Sequence, residues 1–99
     1  MAATIITKIA GVTFDNRQEI LKNLRGDPEI ELVRERYNRF DSNAIAVYAD
    51  QKHVGYVPRD IAEKLSLVDE FKMKAELITF NGGYADKSWG LTIKITIEQ

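Results

Sequence analysis

One stretch of the sequence that begins at position 33, VRERYNRFDSNAIAV, holds most of the side chains suited to binding a ligand. Arg34 and Arg36 lie two residues apart on a predicted strand, which places both on one face of it. Arg39 follows in the next turn, and the aromatic residues Tyr37 and Phe40 alternate with these cations. A single-stranded nucleic acid requires cations along its phosphates and rings that stack on its bases. The stretch therefore indicates a groove for such a strand.

A second stretch, VGYVPR, ends in a cation beside the predicted start of a helix. Pro58 is of a type favoured in the first turn of a helix, and Arg59 follows it directly. The free N–H groups at a helix start also suit a phosphate. The junction therefore adds a feature that attracts anions close to the first stretch.

The same residues also admit an interpretation that needs no ligand. Arg34 and Arg36 can form ion pairs with neighbouring glutamates, and Tyr37 can pack against another strand. Asp41 can cap its own turn through backbone hydrogen bonds. The composition of the stretch does not decide between a nucleic-acid groove and this purely structural role.

The sequence contains no pattern typical of catalysis or of metal binding. Its one histidine, His53, has no second histidine and no cysteine near it, so a zinc-type site is not expected. Ser42, Ser66 and Ser88 lie outside any G-x-S-x-G motif, and the glycines form no nucleotide-binding loop. We therefore expect a protein without catalytic residues, without a metal and without a cofactor.

Length and composition limit the class of protein. A chain of 99 residues, 44% hydrophobic and 29% charged, predicts one soluble domain spanning 1–99. Fourteen basic against fifteen acidic residues give a net charge of -1, which argues against nucleic-acid binding by overall charge but allows a local basic patch. The chain has no cysteine, no signal-peptide pattern and no apolar run near the ~20 residues of a membrane span. We expect a cytoplasmic protein that does not contact a membrane.

The spacing of apolar residues predicts six strands and two helices in the order β-α-β-β-β-α-β-β. The strands are predicted at 4–12, 29–37, 44–49, 53–57, 71–80 and 89–97, and the helices at 16–25 and 58–68. Asp15 and Gln18 fit a capping box at the first helix, and Asp50 with Gln51 predicts a short hairpin connection. Short, mostly antiparallel strands with two helices predict an α+β domain. An OB-like, partly open barrel would hide its sheet edges.

Together the two stretches resemble the signature of the HIRAN domain family. The likeness is carried by Arg34–Val47 and Val54–Arg59, and its most specific part is the run N-x-F-D-x-N-A-I that begins at Asn38. HIRAN domains occur as N-terminal modules of DNA-repair helicases and as small stand-alone bacterial and phage proteins. The resemblance covers nearly the whole chain. It implies a modified OB-like barrel that binds DNA, in the best-understood members at the 3′ end of a single strand.

The resemblance also implies roles for individual residues. Phe40 matches an aromatic residue that stacks on the terminal base, and Asp41 matches an aspartate that accepts a hydrogen bond from the terminal 3′-hydroxyl. Phe14 matches an aromatic position after the first-strand glycine. Arg59 matches a basic phosphate contact. Tyr56 replaces a histidine that contacts phosphate in some members, and its hydroxyl can still donate a hydrogen bond.

Two further aromatic residues and one departure from the family complete the prediction. Tyr84 or Trp89 stands for another stacking aromatic in the last loop, whereas Thr13 stands where DNA-end readers of the family have an arginine. The predicted DNA-binding residues are Phe14, Arg34, Arg36, Tyr37, Arg39, Phe40, Asp41, Tyr56, Arg59, Tyr84 and Trp89. Four guanidinium groups, those of Arg34, Arg36, Arg39 and Arg59, are expected to converge on one face.

We therefore predict a non-catalytic module that binds the 3′-hydroxyl end of single-stranded DNA. Its predicted role is in DNA repair or processing, with a DNA-processing protein complex as a further partner. The alternative is a module that binds a protein or peptide through the same groove or through an exposed sheet edge, which the net charge and Thr13 favour. A small enzyme is a third interpretation, for which the sequence offers no nucleophile and no metal ligands.

Overall fold

Six strands and two α-helices make up the fold in a computed structural model that describes residues 2–85 and 87–98. In chain order the elements are β1 (Ala2–Lys8), α1 (Arg17–Asn23), β2 (Ile30–Arg34), β3 (Ile45–Ala49), β4 (Lys52–Tyr56), α2 (Arg59–Lys64), a 3₁₀ turn (Glu70–Lys72), β5 (Met73–Asn81) and β6 (Gly90–Glu98). The α+β class and the order of the elements are confirmed. The single domain predicted over 1–99 includes Met1, Asp86 and Gln99, which lie outside the described residues.

The strands form two antiparallel sheets of three strands each, in the orders β1-β6-β5 and β2-β3-β4. The central strand β6 buries Leu91, Ile93, Ile95 and Ile97, and half-exposed threonines and a lysine alternate with them. This period of two places one face of the sheet against the core and the other toward water. The other central strand, β3, is buried along almost its whole length. The core therefore lies between the two sheets.

The two sheets meet beside β1 through a close contact between backbones. Ala10 N donates to Tyr56 O over 2.7 Å, and Tyr56 N donates to Ala10 O over 2.8 Å. The approach requires glycine at position 55, because a Cβ on Gly55 would lie 2.6 Å from the Ala10 carbonyl oxygen. On the opposite side β2 packs beside β5, but no strand ladder joins these two in the described part of the chain. The partly open barrel therefore stays a prediction.

Helix α1 begins differently from the predicted capping box. Its N-cap residue is Asn16, and no side chain caps its first turn. The side chain of Gln18 instead donates to the carbonyls of Val12 and Trp89, both over 2.8 Å, and accepts a 2.8 Å bond from the Trp89 N–H. Gln18 thus fastens the segment after β1 and the start of β6 to the helix.

Replacing Gln18 by glutamate should destabilise the fold by about 1–3 kcal/mol. A carboxylate still accepts from the Trp89 N–H but cannot donate to the two carbonyls, which lose their partner. Urea unfolding measures the loss. Gln51→Glu, in the exposed hairpin turn, is the control for the added charge. Equal losses in the two variants would contradict the role assigned to Gln18.

Candidate nucleic-acid interface

The loop between β2 and β3, residues 35–44, is braced by one asparagine. Asn38 Oδ1 accepts hydrogen bonds from the backbone N–H groups of Phe40 (2.9 Å) and Asp41 (3.1 Å). Its Nδ2 donates to the Glu35 carboxylate over 3.0 Å. Asparagine is suited to this position because its short amide can satisfy backbone donors two and three residues on. The brace fixes a turn in which the Phe40 ring stays 83% exposed.

The two carboxylate oxygens of Asp41 have different surroundings. Oδ1 accepts a 2.9 Å hydrogen bond from the backbone N–H of Asn43, so Asp41 does cap its own turn. Oδ2 lies 3.6 Å from Nε of Arg59, whose NH2 group donates to the Phe40 carbonyl over 3.0 Å. One oxygen therefore holds the loop, and the other faces a cation. Packing of Tyr37 against another strand is not observed, since its ring is fully exposed.

Tyr56 stands at the end of β4, immediately after Gly55, and its hydroxyl donates to Glu35 Oε1 over 2.8 Å. Burial raises the pKa of Tyr56 above its ordinary 10.0, and the hydrogen bond and charge of Glu35 raise it further against the opposing charge of Arg17. The hydroxyl is therefore protonated at neutral pH, and its proton points to Glu35. Toward a ligand this hydroxyl presents lone pairs, whereas the sequence predicted a donor.

Arg17 lies against the ring of Tyr56 and was not among the site residues predicted from the sequence. Its NH1 group donates to the Gly11 carbonyl over 2.6 Å, and its NH2 group lies 3.4 Å from Oδ2 of Asp15. The guanidinium carbon sits 5.2 Å from the centroid of the Tyr56 ring. A signal was present, because Arg17 is spaced four and seven residues from the buried Leu21 and Leu24. That spacing assigns it to the inner face of the helix.

These side chains surround one open pocket of about 590 Å³. It brings together five of the predicted site residues, namely Phe14, Phe40, Asp41, Tyr56 and Arg59, and adds Arg17. The two phenylalanine rings are 64% and 83% exposed. Large aromatic side chains left in water around a concave surface are typical of a binding site. The pocket offers rings for stacking, two cations and two carboxylates, those of Asp15 and Asp41.

The structure places three other predicted residues outside this pocket. Arg34 is the last residue of β2, and its guanidinium donates to the carbonyls of Leu65 and Val68 just beyond α2. The prediction that Arg34 and Arg36 share a strand face is wrong, because the strand ends between them. The predicted convergence of four arginines is likewise wrong for Arg34. Arg36 and the exposed Tyr37 border a separate hollow with Arg34.

The last predicted residues lie elsewhere again. Tyr84 and Trp89 line a third hollow, of about 360 Å³, together with the cations Lys8 and Lys87. Arg39 is exposed in the turn between Asn38 and Phe40 and lines none of these hollows. Two of the predicted aromatic residues are therefore brought together, but not into the pocket that holds Phe40.

Two findings concern other kinds of function. Within residues 2–85 and 87–98, no group of three or more histidine, aspartate or glutamate side chains is arranged to hold a metal ion. Neither helix in the described part of the chain has the length and the apolar character needed to cross a membrane.

Replacing Asn38 by alanine should loosen the turn that presents Phe40 and Asp41. The change leaves two N–H groups without an acceptor, which costs about 1–3 kcal/mol where they are shielded from water. Amide hydrogen exchange of Phe40 and Asp41 measures the opening, and urea unfolding measures the stability. Asn23→Ala, which removes one exposed bond at the end of α1, is the control. Unchanged exchange at Phe40 and Asp41 would show that Asn38 does not hold the turn.

Comparison with known proteins identifies the family and agrees with the fold. The family model of the HIRAN domain matches residues 3–97. A crystal structure of a protein from Lactobacillus plantarum aligns with a TM-score of 0.67 and 20% identity, over 99% of this chain and 100% of that one, and so shares the fold. Comparison with curated proteins gives no match. Since the family model spans nearly the whole chain, the protein belongs to the HIRAN domain family, whose domain is a nucleic-acid-binding module without catalysis of its own.

Proposed function

We propose that this protein binds the 3′-hydroxyl end of single-stranded DNA in the pocket that holds Phe14, Phe40, Asp41, Tyr56 and Arg59. The observation that carries the proposal is the pair Phe40 and Asp41. The loop leaves the Phe40 ring in water and leaves one Asp41 oxygen free of backbone bonds. A base that stacks on such a ring gains about 1–3 kcal/mol.

The free oxygen of Asp41 gives the pocket its chemical selectivity. An ionised carboxylate accepts hydrogen bonds and offers none. It therefore favours a terminal hydroxyl and repels a terminal phosphate, and it disfavours an internal phosphodiester for the same reason. Arg59, 3.6 Å away, supplies a cation for the phosphate next to the terminal sugar. The Asp41 carboxylate beside the Arg59 guanidinium suits the end of a DNA strand better than its middle.

The rest of the strand would continue over the exposed loop. Arg36, Tyr37 and Arg39 are exposed in this loop. Within the described residues neither arginine forms an ion pair, so two cations and one aromatic ring are free to contact the DNA. Tyr84 and Trp89 offer a second stacking position in their own hollow. Arg34 is left out, since its guanidinium is held by two carbonyls. The proposal also includes a cytoplasmic role in DNA repair or processing, with a DNA-processing protein complex as partner. It includes a partly open barrel as the form of the sheet.

A second candidate function is the binding of a protein. Leu67 and Phe71 are almost fully exposed in the segment between α2 and β5, and neither lines the pocket. Together with a net charge of -1, they favour a partner held by apolar contacts. Tighter binding of a 3′-hydroxyl oligonucleotide than of its 3′-phosphate twin would favour DNA over a protein as the ligand.

Substitutions at Phe40 and Asp41 should affect two oligonucleotides differently. Phe40→Ala should weaken binding of both a 3′-hydroxyl strand and its 3′-phosphate twin by roughly ten- to a hundredfold, because stacking does not depend on the terminus. Asp41→Asn should weaken binding of the hydroxyl-ended strand and narrow its advantage over the phosphate, since the repelling charge is gone. Fluorescence anisotropy gives the six affinities, two each for the wild type, Phe40→Ala and Asp41→Asn.

Melting temperatures of both variants serve as the control for folding. Asp41→Asn keeps an amide oxygen for the Asn43 N–H, so it should melt close to the wild type. Unchanged discrimination between the two ends in a folded Asp41→Asn protein would refute end recognition by this carboxylate.

Binding should also weaken with salt to a limited degree. Phosphate contacts by Arg36, Arg39 and Arg59 predict a slope of roughly -2 for the logarithm of affinity against the logarithm of salt concentration, at about -0.7 per contact for a single strand. Anisotropy titrations at several salt concentrations measure the slope. A flat response would remove phosphate contacts as a source of affinity and favour the protein ligand.

A further inference from the structure

We infer that Arg17 is an additional phosphate contact in this pocket and that the carboxylate of Asp15 holds its place while the pocket is empty. The inference rests on the proposed function, because it assigns a further residue to the same site. It comes from the surroundings of one side chain rather than from the sequence pattern. Three observations about Arg17 carry it.

The first observation is that the cation is buried but incompletely paired. The Arg17 side chain is only 9% exposed, and buried guanidinium groups are normally matched by close acceptors. Within the described residues one strong bond is present, from NH1 to the Gly11 carbonyl at 2.6 Å, and Nε has no acceptor. Among residues 2–85 and 87–98, the one carboxylate within reach is that of Asp15, at 3.4 Å. A second, closer anion would complete the pairing.

The second observation is that the guanidinium is held in the wall of the pocket. The ring of Tyr56 lies against it at 5.2 Å, which is within the range of a cation–π contact. The backbone of Gly11 closes the other side, at a φ of +67°, where an added Cβ would lie 3.3 Å from NH1. A cation fixed in this way loses little conformational freedom when a ligand binds.

The third observation concerns the present partner. Asp15 is 81% exposed, and its distance of 3.4 Å is long for a charged hydrogen bond. An ion pair whose carboxylate stands in water is weak, and it changes an equilibrium constant by only about two- to fivefold. A phosphate of a bound strand offers a shorter bond to NH2 and can displace this carboxylate. Asp15 then lowers the affinity for phosphate by the amount needed to break its own pair.

Asp15→Asn tests the inference without disturbing the backbone. Asparagine tolerates the positive φ of 54° at this position. The variant should bind a 3′-hydroxyl oligonucleotide about two- to fivefold more tightly at low salt, the factor that an exposed ion pair is worth. Its salt slope should be steeper by up to about 0.7, since no displaced carboxylate is left to attract a salt cation. Asp27→Asn, an exposed acid outside the pocket, is the matched control and should change affinity by less than about twofold.

A probe other than DNA separates this inference from the proposed function. Inorganic phosphate is titrated into the wild type, Asp15→Asn and Arg17→Lys. The side-chain Nε–Hε NMR signal of Arg17 is followed in the wild type and in Asp15→Asn, since Arg17→Lys lacks this group. A larger shift of this signal in Asp15→Asn is expected. Arg17→Lys keeps the charge but loses the fork that can hold Gly11 and a phosphate together. It should weaken oligonucleotide binding roughly tenfold, with its melting temperature measured alongside.

Each outcome decides something. Equal affinities and equal slopes for Asp15→Asn and Asp27→Asn would overturn the inference, while a loss of binding in Phe40→Ala would still support the proposed function. If no oligonucleotide binds but phosphate shifts the Arg17 signal more in Asp15→Asn, the anion contact stands and the DNA proposal fails. If neither the oligonucleotide nor phosphate binds, both are overturned.

Discussion

The carboxylate of Glu35 is the contact on which the rest of the site depends. Its Oε1 accepts from the Tyr56 hydroxyl at 2.8 Å and from Asn38 Nδ2 at 3.0 Å, so one oxygen joins β4 to the loop between β2 and β3. Asn38 passes this constraint on to the backbone of Phe40 and Asp41. Hydrogen bonds to a charged acceptor are stronger than neutral ones, by about a factor of two. The ring and the acid are thus placed by a chain of bonds that starts at the sheet.

Charge balance is the second constraint on this pocket. Each of its two cations has an aspartate beside it, Asp15 for Arg17 and Asp41 for Arg59. A protein with a net charge of -1 can therefore hold cations in a concave site without a strong attraction for every passing anion. In the proposed function, selectivity comes from what the ligand offers each pair, a phosphate to the arginine or a hydroxyl to the aspartate. Overall charge is a poor guide to such a site, because the net charge of -1 favoured the alternative of a protein ligand.

The elements were predictable because their signals are local. Alternating β-branched residues gave the strands, and the two-residue connection at Asp50 and Gln51 was correctly placed, with both residues at positive φ. The pairing of Arg34 was not predictable, since its acceptors Leu65 and Val68 lie more than thirty residues away and are backbone atoms. Gln18 likewise matched a capping box but bonds to residue 89 across the fold.

The candidate site shows the same division. The turn chemistry of Asn38 and Asp41 is local, so the corner that presents Phe40 could be recognised in the sequence. Arg17 was overlooked because an arginine near a helix start normally faces water, and only its spacing from Leu21 and Leu24 indicated burial. A pocket residue whose placement depends on a loop carbonyl, here that of Gly11, becomes visible once the fold is known.

The pocket also depends on the contact between the two sheets. One side of the pocket comes from the segment after β1, with Gly11, Phe14 and Arg17. The other side comes from the second sheet, where Tyr56 ends β4 and Arg59 follows it. The bridge between Ala10 and Tyr56 holds these groups in register, and Gly55 makes the approach possible. A ligand that contacts both sets would stabilise the folded state, in which they are held together, because it does not bind the unfolded chain. The pocket proposed as the ligand site therefore lies at the contact between the two sheets.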